Sequence, residues 1–143
     1  TLHLVFAGPD EGLGDQLRKK IKEESLENRI HLIGYIEGYD KVGAYTGAEF
    51  LVVPSRREAM SIVALEAGAC GTPVILSTEC GFDEVKEVGC KVVQPNAEEL
   101  YNGMNSMLSS SKSLKALGND LRNLILERYT WKKSAEQYLK FLP

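Results

Sequence analysis

Cysteine, histidine and tryptophan are scarce in this chain of 143 residues, which holds three Cys, two His and one Trp. Cys70, Cys80 and Cys90 are an odd number without a C-x-x-C pair, and only His3 and His31 could join them. That argues against a disulfide framework and against metal-ligand spacing, and reduced, mostly buried thiols are expected. No apolar run reaches the ~18 residues of a transmembrane helix, and Thr1 to Gly8 reads as a strand rather than a signal peptide, so a cytoplasmic setting is expected. A surplus of positive charge is missing too. Lys and Arg number 17 against 20 Asp and Glu, a formal charge of −3, which disfavours a surface that coats nucleic acid. After the first strand there is no G-x-G-x-x-G turn, because Gly8, Gly12 and Gly14 have the wrong spacing, and no P-loop occurs. A dinucleotide-binding dehydrogenase is thereby set aside. A phosphoryl-receiver domain would end its third strand in Asp, where this chain has Pro54-Ser55.

What is present is a regular alternation. Hydrophobic residues make up 43% and charged residues 26%, enough for an ordinary core. Leu2 to Ala7 reads as a buried strand stopped by Gly8-Pro9-Asp10, and the charged stretch Asp15 to Leu26, with Leu17, Ile21 and Leu26, as an amphipathic helix. Strands are predicted again at Ile30 to Ile36, Phe50 to Val53, Pro73 to Leu76 and Cys90 to Val93. Helices are predicted at Tyr39 to Thr46, Ser61 to Cys70 with Gly71 as its stop, and Glu98 to Leu108. Two more, Leu114 to Arg128 and Trp131 to Phe141, break near Thr130. Strand and helix in turn imply an α/β fold, a Rossmann-like parallel sheet with helices on both faces and a helical C-terminal segment. One domain spanning residues 1–143 is expected. An opening on Thr1, directly on a strand, suggests a piece of a longer, two-domain protein.

Ligands of such sheets bind beyond the carboxyl ends of the strands. The third strand runs through Pro54-Ser55-Arg56-Arg57-Glu58-Ala59-Met60 into the helix that Ser61 is placed to cap. The amides of Ile62 and Val63 then lack intrahelical acceptors and, with the helix dipole, form a seat for a phosphate oxygen. Glu58 precedes the helix and Glu66 lies inside it. Helical side chains lean toward the N-terminus, so both acids can address one ligand and accept hydrogen bonds from its hydroxyls. Spacing alone favours the plainer arrangement, a Glu58 exposed in its loop and a Glu66 paired with a neighbouring Lys or Arg.

The run Glu58-Ala59-Met60-Ser61-Ile62-Val63-Ala64-Leu65-Glu66, opened by Pro54-Ser55 and closed by Gly71-Thr72-Pro73-Val74, resembles the Glu-x7-Glu signature of the group 1 (family four) retaining glycosyltransferases. The likeness covers nearly the whole chain. Leu4-Val5-Phe6-Ala7-Gly8 is similar to the second strand of that family's C-terminal domain, and Ile30 to Ile36 to the strand before its nucleobase pocket. Gly81-Phe82-Asp83-Glu84-Val85 resembles its Gly-Gly-x-x-Glu loop, and Tyr129-Thr130-Trp131 its aromatic-Ser-Trp motif.

The resemblance implies the nucleotide-sugar-binding half of a GT-B enzyme, beneath a separate N-terminal acceptor-binding domain. It implies that Glu58 contacts hydroxyls of the transferred sugar as the catalytic residue, and that the backbone from Ser61 to Val63, with Met60 beside it, holds the diphosphate. Glu66 would take the ribose hydroxyls, and the base would lie near Tyr35 and Ile36, with Gly8 also lining the donor. Transfer would proceed with retention through an oxocarbenium-like transition state, the leaving diphosphate being stabilised electrostatically. The family requires no metal or other cofactor; the nucleotide-diphosphate sugar is the substrate. Its phosphate-binding Arg and Lys belong to a segment upstream of Leu2 to Ala7, so the isolated chain is expected to bind donor weakly and transfer nothing. Arg56 and Arg57 are expected to be solvated. Peripheral membrane contact would come through the parent protein, and no nucleic-acid partner is implied. Two departures stand out: Glu58-Ala59-Met60-Ser61 replaces the common Glu-Gly-Phe-Gly, and Cys80-Gly81 replaces Gly-Gly. The alternative is a non-catalytic GT-B-like module for regulation or partner-subunit binding. Tyr129, Trp131, Tyr138 and Phe141 are expected to cover the core, although the last GT-B helix often crosses to the other domain and would then leave apolar surface exposed.

Overall fold

The computed structural model describes residues 2–141; Thr1, included in the first predicted strand region, lies outside them. Two compact units divide the chain, residues 1–41 and 42–143.

In the first unit, β1 (Leu4–Ala7) pairs in parallel with β2 (Ile30–Gly34), Leu4 facing Ile30 and Val5 facing His31. The connecting helix α1 (Gly14–Glu23) carries the predicted apolar stripe and buries Ile21. The ladder stops at Gly34, a left-handed residue, and so falls short of the predicted Ile36. Helix α2 (Gly38–Gly47) runs through the boundary between the units.

The second unit holds a three-stranded parallel sheet in the order β3 (Leu51–Val53), β4 (Val74–Ser77), β5 (Lys91–Val93). Every residue of β4 is buried, as expected of a central strand covered on both sides. Alternate side chains point to opposite faces, and the core divides accordingly. Val53, Val74 and Leu76 join Ala64 and Ala67 of α3 (Ile62–Ala69) and Leu121, Leu124 and Ile125 of α5 (Leu114–Arg128). Ile75 instead meets Met107 of α4 (Ala97–Leu108) and Leu117 of α5. Helices therefore cover both faces of this sheet. The single expected sheet is realised as two ladders, β1–β2 and β3–β4–β5, all parallel.

Between β4 and β5 lies a 3₁₀ helix, Asp83–Val88, that no apolar periodicity announced. Phe82, fully buried before it, meets Tyr129 edge-on with ring centroids 5.0 Å apart. The two motifs of the resemblance, around Gly81 and around Tyr129, are thus joined by one aromatic contact.

The last helix, α6 (Trp131–Leu139), corrects an expectation. Tyr129 packs on the core, but Trp131 is 92% exposed and Tyr138 and Phe141 are exposed as well. That core is already closed by α3, α5 and the Phe82–Tyr129 contact, and α6 buries no residue. Apolar surface is left on α6, as the other reading of this segment anticipated. All three cysteines are free, Cys80 and Cys90 buried and Cys70 half-buried. No helix among the described residues is long and apolar enough to cross a membrane.

Candidate donor-binding site

The loop between β3 and α3 is held by the segment that follows β4. Glu58 N–H donates to Glu79 O and Ser61 N–H to Cys80 O, each at 2.9 Å. The Ser77 hydroxyl donates to Ser55 O, and the Cys80 thiol donates to Val53 O at 3.4 Å. Gly81 sits against the same loop. With φ of +61°, any Cβ it carried would lie 2.1 Å from Ala59 O, so only glycine permits both the backbone conformation and the close approach. Cys80 and Gly81, read from sequence as a departure from Gly-Gly, therefore fix the loop by a thiol and a missing side chain.

At the start of α3 the first intrahelical donor is Leu65, whose N–H reaches Ser61 O at 3.2 Å. The amides of Ile62, Val63 and Ala64 lie ahead of it, where a helix provides no acceptor. Ile62 is 61% and Val63 38% exposed, whereas Ser61 and Ala64 on either side of them are buried. Ser61 behaves otherwise than predicted. It stands at the N-cap in an extended conformation but makes no side-chain cap bond, and its amide is committed to Cys80 O. Of the amides that the resemblance assigns to the diphosphate, that of Ser61 is thus committed elsewhere.

Glu58 is half-buried, and its Oε1 accepts from the Ser55 hydroxyl at 2.8 Å. Its other oxygen, Oε2, is buried with no partner, and so is Ser61 Oγ. Among the described residues these are the only two buried side-chain polar atoms in that condition. Buried polar atoms are bonded in the large majority of cases, so two exceptions within four residues mark this loop. Met60, between them, is half-buried and packs on the core.

Glu66 projects from α3 and accepts at Oε2 from the Tyr45 hydroxyl of α2 at 2.9 Å. Tyr45 is itself anchored, its carbonyl accepting from the Thr72 hydroxyl at 2.6 Å. Burial, then the hydrogen bond to Glu66, pushes the Tyr45 phenol far above its ordinary value, so it remains a donor throughout the neutral range. Sequence reasoning missed Tyr45, Ser55 and Ser77. Ser55 was visible only as part of a motif, and nothing in spacing links Tyr45 to a carboxylate 21 positions away.

In the first unit, Gly8 follows β1 and donates its N–H to Gly34 O at 2.8 Å. Tyr35 and Ile36 follow β2; Tyr35 is exposed, its hydroxyl donating to Glu37 at 3.3 Å, and Ile36 is half-buried. Arg56 and Arg57 are exposed, as expected of solvated arginines.

Residues 1–124 match the family model "Glycosyl transferases group 1". The chain belongs to the group 1 glycosyltransferases. A glycosyltransferase of Methanocaldococcus jannaschii is 30% identical to it over 137 residues, a match covering 94% of this chain and 35% of that protein. Sucrose-phosphate synthase from Thermosynechococcus elongatus superposes with a TM-score of 0.82 at 28% identity, covering 96% of this chain and 37% of that one. Anabaena HepE in complex with UDP and glucose superposes with a TM-score of 0.80 at 20% identity, covering 96% of this chain and 39% of HepE. This group 1 glycosyltransferase chain therefore has the Rossmann-like α/β fold of GT-B C-terminal domains, and it spans about a third of the length of the curated relatives it matches.

Proposed function

We propose that this chain is the donor-binding domain of a retaining glycosyltransferase, and that the opening of α3 receives the diphosphate and the transferred sugar of a nucleotide-sugar. The observation that carries the reading is the pair of buried, unpartnered oxygens, Glu58 Oε2 and Ser61 Oγ, in the loop that opens α3, whose first residues Ile62 and Val63 are exposed. A carboxylate oxygen accepts only, so Glu58 Oε2 calls for a donor, which a sugar hydroxyl supplies. The amides and the positive end of α3 call for an anion, which a diphosphate supplies. Glu66, oriented by Tyr45, is assigned to the ribose hydroxyls. The assignment of Gly8, Tyr35 and Ile36 to the donor rests on the resemblance. The family relationship and the bound UDP of HepE support the choice of a nucleotide-sugar.

In this scheme Glu58 positions the sugar and the amides of Ile62 and Val63 stabilise charge on the departing diphosphate. Acceptor binding, the remaining phosphate cations and any membrane contact belong to other parts of the parent protein, so the chain alone binds but does not transfer. Calorimetric titration with UDP, GDP and ADP and with their glucose derivatives tests this. One series binds, and Glu58→Ala weakens the sugar-nucleotide by about tenfold or more, the cost of losing a hydrogen bond to a charged group, while the bare diphosphate is unaffected. Failure of all six to bind, or sugar transfer by the isolated chain, overturns the reading.

A further inference from the structure

One atom of the proposed diphosphate seat still has no role, and any role given to it rests on the seat being one for a diphosphate. Ser61 has committed its amide to Cys80 O, so it cannot offer the backbone N–H that the resemblance assigns to it. Its hydroxyl is uncommitted: Ser61 is 1% exposed and Oγ has no partner. At an N-cap, serine and its kin ordinarily return the side-chain oxygen to an amide two or three residues on. Asn96, Ser113 and Thr130 do so at the openings of α4, α5 and α6. The two unpartnered oxygens also differ in chemistry. Glu58 Oε2 can only accept, whereas a hydroxyl can donate; an anion held by the neighbouring amides of Ile62 and Val63 offers acceptors and no donor.

We propose that the Ser61 hydroxyl donates a hydrogen bond to a phosphate oxygen of the bound donor, taking the place of the Ser61 amide, and that it is a binding residue for the diphosphate. A hydroxyl bonded to an anion makes a charge-assisted contact, stronger than a neutral one. Without ligand, the same hydroxyl is buried and unbonded, an arrangement unfavourable to the free protein. The side chain therefore favours the complex and disfavours the empty domain.

Opposite effects on binding and folding give the test. Wild type and Ser61→Ala are titrated calorimetrically with UDP, GDP and ADP and with the corresponding phosphate-free nucleosides, and both are melted without ligand. The expected result is about tenfold weaker binding of the diphosphate by Ser61→Ala, no change for the nucleoside, and a ligand-free melting temperature equal to or above that of wild type. Equal diphosphate affinity in the two proteins overturns the proposal. So does a lower ligand-free melting temperature in the variant, which would make the hydroxyl a structural group. If wild type binds no diphosphate, the function proposed above falls first, and that outcome is distinguishable because it does not depend on the variant.

Discussion

At the opening of α1 the carboxylate of Asp10 lies across the loop amides, its Oδ1 accepting from Gly12 N–H at 2.9 Å and Gly14 N–H at 3.0 Å, while Arg18 pairs with its other oxygen at 3.3 Å. At the opening of α3 the N-cap Ser61 makes no such bond, two oxygens lack partners, and Ile62 and Val63 face outward. Both helices follow a parallel strand, and both have the positive dipole end that attracts an anion. One supplies the anion from its own loop; the other does not. A helix opening becomes informative about ligands only after the side chains that already fill it have been counted.

The comparison breaks most readily at two glycines. Gly81, which presses on the α3 loop, has Ala59 O where a Cβ would go, whereas Gly12, in the α1 loop at φ +103°, has nothing within 4 Å. Gly81→Ala should lower unfolding stability by about 2–4 kcal/mol, left-handed strain plus a steric clash, and should displace the loop enough to abolish diphosphate binding. Gly12→Ala should cost the strain alone, about 1–2 kcal/mol. Urea denaturation of both variants decides it, and equal losses would mean that the two loops are built alike.

A smaller effect is expected at Tyr45. Tyr45→Phe removes the hydroxyl that holds Glu66 and should weaken ribonucleoside diphosphate binding about fivefold, the worth of roughly 1 kcal/mol of hydrogen bond. The 2′,3′-dideoxyribonucleotide, which offers Glu66 no ribose hydroxyl, should bind wild type and variant equally. Equal weakening of both nucleotides would show that Tyr45 supports the fold rather than the orientation of Glu66.

The smallest effect concerns acid. The amides of Gly12 and Gly14 hold the Asp10 carboxyl below its ordinary value, with Arg18 adding to the effect. A carboxyl so shifted contributes stability above its unfolded value and loses it as pH falls through the lowered folded value. Melting temperature measured from neutral to acid pH should therefore fall more steeply in wild type than in Asp10→Ala. Parallel curves would remove Asp10 as the internal occupant of the α1 opening.

Much of this was legible in the residues. Apolar runs ended by Gly8-Pro9 and Pro54-Ser55 locate β1 and β3, and Gly71 closes α3, because breakers and periodicity act locally. Glu58 and Glu66 were found through the spacing of a motif bounded by Pro54-Ser55 and Gly71-Thr72-Pro73-Val74. The 3₁₀ helix Asp83–Val88 was not found, since six largely charged residues carry no face to detect. The lost cap of Ser61 was equally hidden, for it depends on Cys80 taking the amide from another loop. At Trp131, Tyr138 and Phe141 the pattern revealed an apolar side, but periodicity does not state whether anything covers it.

The loop before α3 is tethered by the main-chain carbonyls of Glu79 and Cys80, and the side chain of Glu79 stands in solvent. Position 79 thus holds the loop through its main chain, its N–H on Ser77 Oγ and its carbonyl on the Glu58 amide, whatever side chain it carries short of proline. A change of charge or bulk at that side chain therefore leaves the tether of the α3 loop in place.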